Sequence, residues 1–383
     1  TSLSATPSGD IVFASADQPG ENQAGASTNR VMRLNAEGKV QWSHTFNRVA
    51  ECGDFLTARD GAGSVWVFGI AGDETDLSGG MGIPGHGTGT FVSRYDADGL
   101  LQGYTLFQGG CITAAAVNEN GQAVITGWVK ADQADYGGDV HPSSADATAA
   151  FVAAYGPDGA HLWSRLAATK PLDFAQGLHV AIDDAGAVTL AAFFQNTGEV
   201  DFGGGPMPDG SSIALVRYAA DGAHISSRLF GGVYTHLNTF APAPDGGLYV
   251  AGYEDEGAKQ ADFIAHHDAA GEEVWRTAID FEEKQEPSHL ALFEGGILLA
   301  GNTYRPTEPF EQLYLVRLTT AGVVEYKLSV GGADADEVNG MVITAEGLTV
   351  LGTSDSAPLP LGDRDVASEG ALSDVFLFRA SAY

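Results

Sequence analysis

Basic residues are scarce in this sequence. Nineteen Lys and Arg, only six of them Lys, stand against fifty Asp and Glu, a net charge of −31. Such a field repels phosphate backbones, which argues against nucleic acid as a partner and leaves cation binding open. Excess surface carboxylate also serves simply to keep a chain soluble. Long apolar runs are missing too: none approaches the roughly 18 residues of a membrane span, and no charged-then-apolar leader precedes Thr1, so a soluble chain is expected. Neither H-E-x-x-H nor G-x-S-x-G occurs. Cysteine is limited to Cys52 and Cys111, enough for one disulfide at most.

Glycine, by contrast, is abundant, with 51 residues. It falls in clusters with Asp and Asn between alternating apolar runs of five to seven residues, the pattern of an all-β protein of short strands. The stretch "FVSRYDADG" (91–99) has relatives in "AFVAAYGPDG" (150–159), "IALVRYAADG" (213–222), "DFIAHHDAAG" (262–271) and "LYLVRLTTAG" (313–322). A weaker copy ends at Gly38 and "VFLFRASAY" closes the chain; the closing glycines fall 49 to 63 residues apart. A second element, a glycine turn followed by a strand that usually ends in glycine, also occurs seven times, from "PSGDIVFAS" to "TAEGLTVLG". Each unit therefore holds four short strands, a to d, with tight a–b and c–d turns.

Four antiparallel strands repeated seven times predict a single seven-bladed β-propeller over residues 1–383, because radial closure hides the edges an open sheet would expose. The approximate blades are 1–49, 50–109, 110–170, 171–232, 233–281, 282–331 and 332–383. Trp42, Trp163, Trp275 and Tyr326 share a position four residues after the c–d glycine, with Tyr104 one later, and are expected to pack between blades. Asp96-Ala97-Asp98-Gly99 looks like the opening of a calcium loop. The equivalent slot also holds Gly156-Pro157-Asp158-Gly159 and Thr319-Thr320-Ala321-Gly322, so carboxylates are not required there and a hairpin turn is predicted.

These residues resemble the bacterial extracellular β-propeller repeats of the SBBP type. The closest stretch is "VDFGGGPMPDGSSIALVRYAADGAHISSRLFGG", Val200 to Gly232, and the resemblance extends over nearly the whole chain. It implies the propeller fold and an extracellular setting, but no shared catalytic residues. Blades 1, 5 and 6 keep the strands and lose most of the "DFGG" loop.

Tight a–b and c–d turns share one rim, so the b–c and d–a connections must share the other. There the b–c connections of blades 2, 3, 4 and 7 are long, as in Gly72–Thr90 and Asp355–Asp374, and long loops on a rigid scaffold are where binding usually resides. Asp54, Asp173, His236, Glu286, Asp334, Asp336 and Glu337 open the inner strands on that rim. Asp54, Asp173, Asp336 and Glu337 form a candidate cation group, with Ca2+ as the cofactor such acids would take. The alternative is that they cap backbone amides of the d–a turns. Trp128 and Tyr253 follow the strand-ending glycines Gly127 and Gly252 and are placed for stacking beside Asp54, Asp173, His236 and Asp336.

Tandem His266-His267 is expected to point to opposite faces. His44, His161 and His224 are read as structural, and Gly85-His86-Gly87-Thr88-Gly89 lacks the helix start that would cradle a phosphate. Cys52 and Cys111 open the inner strands of neighbouring blades at matching distances from the next turn. A disulfide between them is sterically plausible and points to an extracytoplasmic location; two unrelated thiols are the alternative. Thr1 starts in strand a and Tyr383 ends in strand c. A three-stranded last blade is therefore expected, or one completed by residues upstream of Thr1, with its edge open to an assembly partner. The leading functional expectation is a non-enzymatic secreted or cell-surface scaffold that binds a protein, glycan or cation. A propeller-type hydrolase or lyase and a structural subunit of a larger assembly are the alternatives.

Overall fold

The computed structural model describes residues 2–6, 9–17, 28–47, 55–71, 89–107, 110–138, 140–143, 145–167, 173–196, 200–231, 235–255, 260–281, 284–304, 311–332, 334–344, 347–356, 359–361, 364–366 and 374–380. Every regular element among them is a β-strand, and the strands form seven successive antiparallel blades, a seven-bladed β-propeller. The chain forms two compact units: Thr1–Val233 carries blades 1 to 4, and Tyr234–Tyr383 carries blades 5 to 7.

Strands a to d of blade 1 are Ser2–Ala5, Ile11–Asp17, Thr28–Leu34 and Val40–Asn47. Those of blade 2 are Leu56–Arg59, Val65–Ala71, Gly89–Tyr95 and Leu101–Phe107, and those of blade 3 are Cys111–Val117, Ala123–Val129, Ala149–Tyr155 and His161–Ala167. Blade 4 has Phe174–Ile182, Val188–Asn196, Gly210–Tyr218 and His224–Phe230. In the second unit, blade 5 has Thr235–Pro242, Leu248–Asp255, Gln260–His267 and Glu273–Ile279, and blade 6 has Lys284–Phe293, Gly296–Tyr304, Glu311–Thr319 and Val324–Val330. Among the described residues blade 7 has three strands, Asp336–Thr344, Gly347–Ser354 and Asp374–Ala380. Ser2–Ala5 pairs with Ile11–Ala14 inside blade 1.

The c–d turns are hairpins, as their sequence predicts. Gly38, Gly99, Gly159, Gly222, Gly271 and Gly322 all have φ between 76° and 81°, a region closed to most side chains. Asp96 Oδ1 accepts the Asp98 and Leu100 amides at 3.0 and 2.9 Å and Oδ2 the Gln102 side-chain amide at 2.7 Å, so both Asp96 oxygens serve the hairpin.

These turns are also where successive blades lock. The indole N–H groups of Trp42, Trp163 and Trp275 donate to the carbonyls of Ala97, Ala220 and Thr320 in the next blade's c–d turn, at 3.1, 3.0 and 3.2 Å. The rings lie so close to Gly99, Gly222 and Gly322 that a Cβ on any of these glycines would sit within 2.7 Å of the indole. The expected inter-blade packing holds for these three tryptophans and fails for two tyrosines. In blade 2 the tryptophan register belongs to Gly103, opposite Arg94, which leaves Tyr104 one residue out of step and 49% exposed. Tyr326 keeps the register, opposite Arg317, but is 43% exposed; among the described residues blade 7 offers no c–d turn for it to cover.

The glycine that ends strand b has a separate cause. Strand a carries a bulge in blades 3 to 7; in blades 3, 5, 6 and 7 it presses a carbonyl against the strand-b glycine, whereas in blade 4 the glycine is on strand a, Gly177, opposite Ala192. A Cβ would lie 1.8 Å from the Cys111 oxygen at Gly127, 1.9 Å from that of His236 at Gly252 and 2.4 Å from that of Glu337 at Gly352.

The long b–c loops of blades 3 and 4 depart from expectation: they fold back onto their own blades. Asp135 and Asp201 cap the following Gly137 and Gly203 amides at 2.8 and 2.6 Å, Tyr136 and Phe202 are buried, and Tyr155 and Tyr218 donate hydroxyl hydrogens to the Tyr136 and Phe202 carbonyls. His161 and His224 sit under Gly138 and Gly204, where a Cβ would come within 2.2 Å of either ring. The "DFGG" motif is thus a device for pinning the loop to strand d, and it makes both histidines structural.

Candidate functional site

Of the sequence-derived site residues, His236 and Tyr253 come together. They are direct cross-strand partners in strands a and b of blade 5, so their side chains share a face, and the rings stack at 4.3 Å with a 12° interplanar angle. Asp255, two residues on, lies on the same face with its carboxylate 3.4 Å from His236 Nε2; the two side chains are 49% and 48% exposed respectively. Asp262 pairs with Tyr253 from strand c and is buried, and Gln260 donates to it at 2.8 Å. Burial, then the Asp255, Glu286 and Asp262 carboxylates, raise the Tyr253 pKa above its ordinary value. The phenol is therefore a neutral donor at physiological pH, facing an imidazole and several acids. Asp255 and Asp262 were not among the sequence candidates. The signal for them is period-2 spacing from Tyr253 and its cross-strand partner, which only a known register can supply.

Asp336 behaves as a turn cap. It is fully buried and accepts from the Gly332 amide at 2.5 Å, the Ser354 hydroxyl at 2.5 Å and the Ser356 hydroxyl at 2.9 Å. Ser356 also binds both backbone groups of Asp334, so this d–a turn is tied to the end of strand b and the start of the b–c connection. The neighbouring Glu337 pairs with Thr353 across strand b. Asp173 is buried just before strand a of blade 4, its carbonyl accepting the Thr148 amide at 3.3 Å. Trp128 is half-buried in strand b of blade 3, opposite Cys111 and Ala150. Asp54, Cys52 and Gly85 to Thr88 lie outside the described residues; Cys111 is buried at the start of its strand. Among the described residues no group of three His, Cys, Asp or Glu side chains converges as a metal site.

The other described histidines have partners of their own. His266 contacts Asp245 at 3.1 Å and lies tilted beside the Tyr249 ring at 4.7 Å, whereas His267 faces the Gly271 carbonyl at 3.1 Å, so the tandem pair does divide between two faces. His44 reaches the Gly99 carbonyl at 2.8 Å. No helix of the described chain is long and apolar enough to cross a membrane.

No family model matches the chain, and no curated protein sequence does. Solved structures do share its fold. The β-propeller domain of the trilobed protease from Pyrococcus furiosus aligns with a TM-score of 0.51 at 10% identity, over 98% of this chain and 92% of that one. Polysaccharide lyase Uly1 aligns with a TM-score of 0.51 at 9% identity, over 99% and 89%. Pyrococcus horikoshii acylaminoacyl peptidase aligns with a TM-score of 0.53 at 11% identity over 98% of this chain; the chain spans half the length of that peptidase. At such identities the likeness is one of fold.

Proposed function

We propose that this protein is a non-enzymatic recognition scaffold, secreted or cell-surface, that engages a protein, glycan or cation through the His236–Tyr253 face of blade 5. The observation that carries this reading is the His236–Tyr253 stack, with His236 and the neighbouring Asp255 each about half-exposed. Among the other described histidines the contacts serve blade packing or turns; here an exposed imidazole stacked on a phenol stands beside an exposed carboxylate, the combination that sugar hydroxyls and cationic side chains recognise. The sequence resemblance to SBBP-type repeats supports the extracellular setting. So does the Cys52–Cys111 pair, for which mass spectrometry of non-reduced peptides is expected to find one joined species. A glycan array with a calcium titration tests the function. Binding without turnover, lost in His236→Ala and Tyr253→Ala, is the expected result, and binding undiminished by both substitutions would refute the site.

One observation favours a second reading, a hydrolase or lyase. An imidazole, a phenol kept protonated and two carboxylates share one face, and such groups can divide acid and base work. Loss of polysaccharide substrate on incubation, abolished in Tyr253→Phe, would establish it over the binding reading.

A further inference from the structure

One position of strand d changes character in blade 3. In register it is Phe46 in blade 1, Phe107 in blade 2, Phe230 in blade 4, Ile279 in blade 5 and Val330 in blade 6. In blade 3 it is Ala167, paired with Ala150. At the boundary of blades 2 and 3 the Phe107 ring fills the gap, 5.4 Å from Tyr136 and 6.5 Å from Tyr155. The same framework recurs one blade later with Phe202 and Tyr218 in those two roles, held by the same hydroxyl-to-carbonyl bond, but Ala167 sends no ring between them.

The result is a cavity of about 170 Å3, open to solvent on one side and bordered by Ala150, Ala167, Leu190, Phe202 and Tyr218, with Arg165 and Asp201 at its mouth. An enclosed apolar void of about 150 Å3 accepts benzene, so the volume of this open pocket suits one aromatic ring. Its mouth is charged. One guanidinium nitrogen of the exposed Arg165 donates to the Ser164 carbonyl at 3.1 Å, while Asp201 Oδ1 is taken by the Gly203 and Gly205 amides. The other Arg165 donors are free to meet an anionic substituent in a bidentate fork.

We propose that this cavity binds a single-ring aromatic carboxylate, the ring occupying the space that Phe107 fills one blade earlier and the carboxylate meeting Arg165. The proposal is independent of the His236–Tyr253 face. Calorimetric titration of the intact chain with benzoate, toluene and benzylammonium tests it. Benzoate is expected to saturate, toluene to bind more weakly, and benzylammonium to bind at least about tenfold more weakly than benzoate, as the charge contact requires. Ala167→Phe is expected to raise Tm by filling the void and to abolish benzoate binding. Arg165→Gln, on the surface, is expected to keep Tm and to erase the preference for benzoate over toluene, and it carries the test if the phenylalanine variant does not fold. Absence of saturable benzoate binding, benzoate affinity unchanged in Ala167→Phe, or a preference for benzoate that survives Arg165→Gln would each overturn the proposal.

Discussion

Single residues in this fold differ sharply in what they hold. Trp163 is buried, bonds the Ala220 carbonyl and packs against Gly222, whereas Tyr326, in the equivalent register, is 43% exposed. Trp163→Ala is therefore expected to cost about 3–5 kcal/mol in urea unfolding, and Tyr326→Ala within about 0.5 kcal/mol. His289, directly after the bulge in strand a of blade 6, gives a pH-dependent case. Burial pushes its pKa down to about 4, against an Asn339 backbone hydrogen bond that opposes the shift. As pH falls below the unfolded-state value of 6.5 the unfolded chain takes up the proton first. The contribution is thus whole above pH 6.5 and is lost as pH falls towards 4, by roughly 1–3 kcal/mol. His289→Gln should flatten that part of the stability–pH profile; an unchanged slope would show that other groups set it.

At the scale of strands and loops, the bulged a–b pair is the least forgiving element. Gly127→Ala would press a methyl onto the Cys111 carbonyl and the Ile112 Cα, both backbone, so neither a rotamer change nor local repacking relieves it. A loss of several kcal/mol is expected, while Gly38→Ala, with open space around it but φ of +77°, should cost only about 1 kcal/mol. A smaller loss at Gly127 than at Gly38 would mean that strand a slides away. This element also shows what could be read in advance. The glycine recurs in the sequence, so strands and turns are legible as a repeat; its cause, a carbonyl from a bulged neighbour, is not, because bulges shift register without changing composition. The same limit explains Tyr104, displaced one residue by Gly103 taking the tryptophan slot, and the loops of blades 3 and 4. Their length suggests a rim, but the aromatic at Tyr136 or Phe202 must be buried, and burying it draws the loop back over the blade. For the site, His236 and Tyr253 were legible because each follows a recognisable boundary, the start of strand a and the end of strand b. Asp262 was not, since its place depends on c-strand register.

For the whole molecule, the dominant physical fact is the charge of −31. Among the described residues the cations that do pair, such as Arg33 with Asp10, Arg94 with Asp60 and Arg276 with Glu254 and Glu273, account for few of the carboxylates. The rest repel one another across the surface and oppose the compact state. Raising sodium chloride from about 0.02 to about 0.5 M shortens the Debye length from roughly 20 Å to roughly 4 Å, which removes most of that repulsion while leaving buried carboxylates such as Asp336 untouched. Tm is therefore expected to rise across that range, most steeply at its low-salt end, where the screening length shortens fastest. Replacing the sodium by calcium at constant ionic strength separates screening from binding, because screening depends on ionic strength alone whereas a bound ion adds stabilisation that grows with the logarithm of its free concentration. A flat sodium profile together with a steep calcium one would mean that the acids are organised into cation sites and that the repulsion argument is wrong.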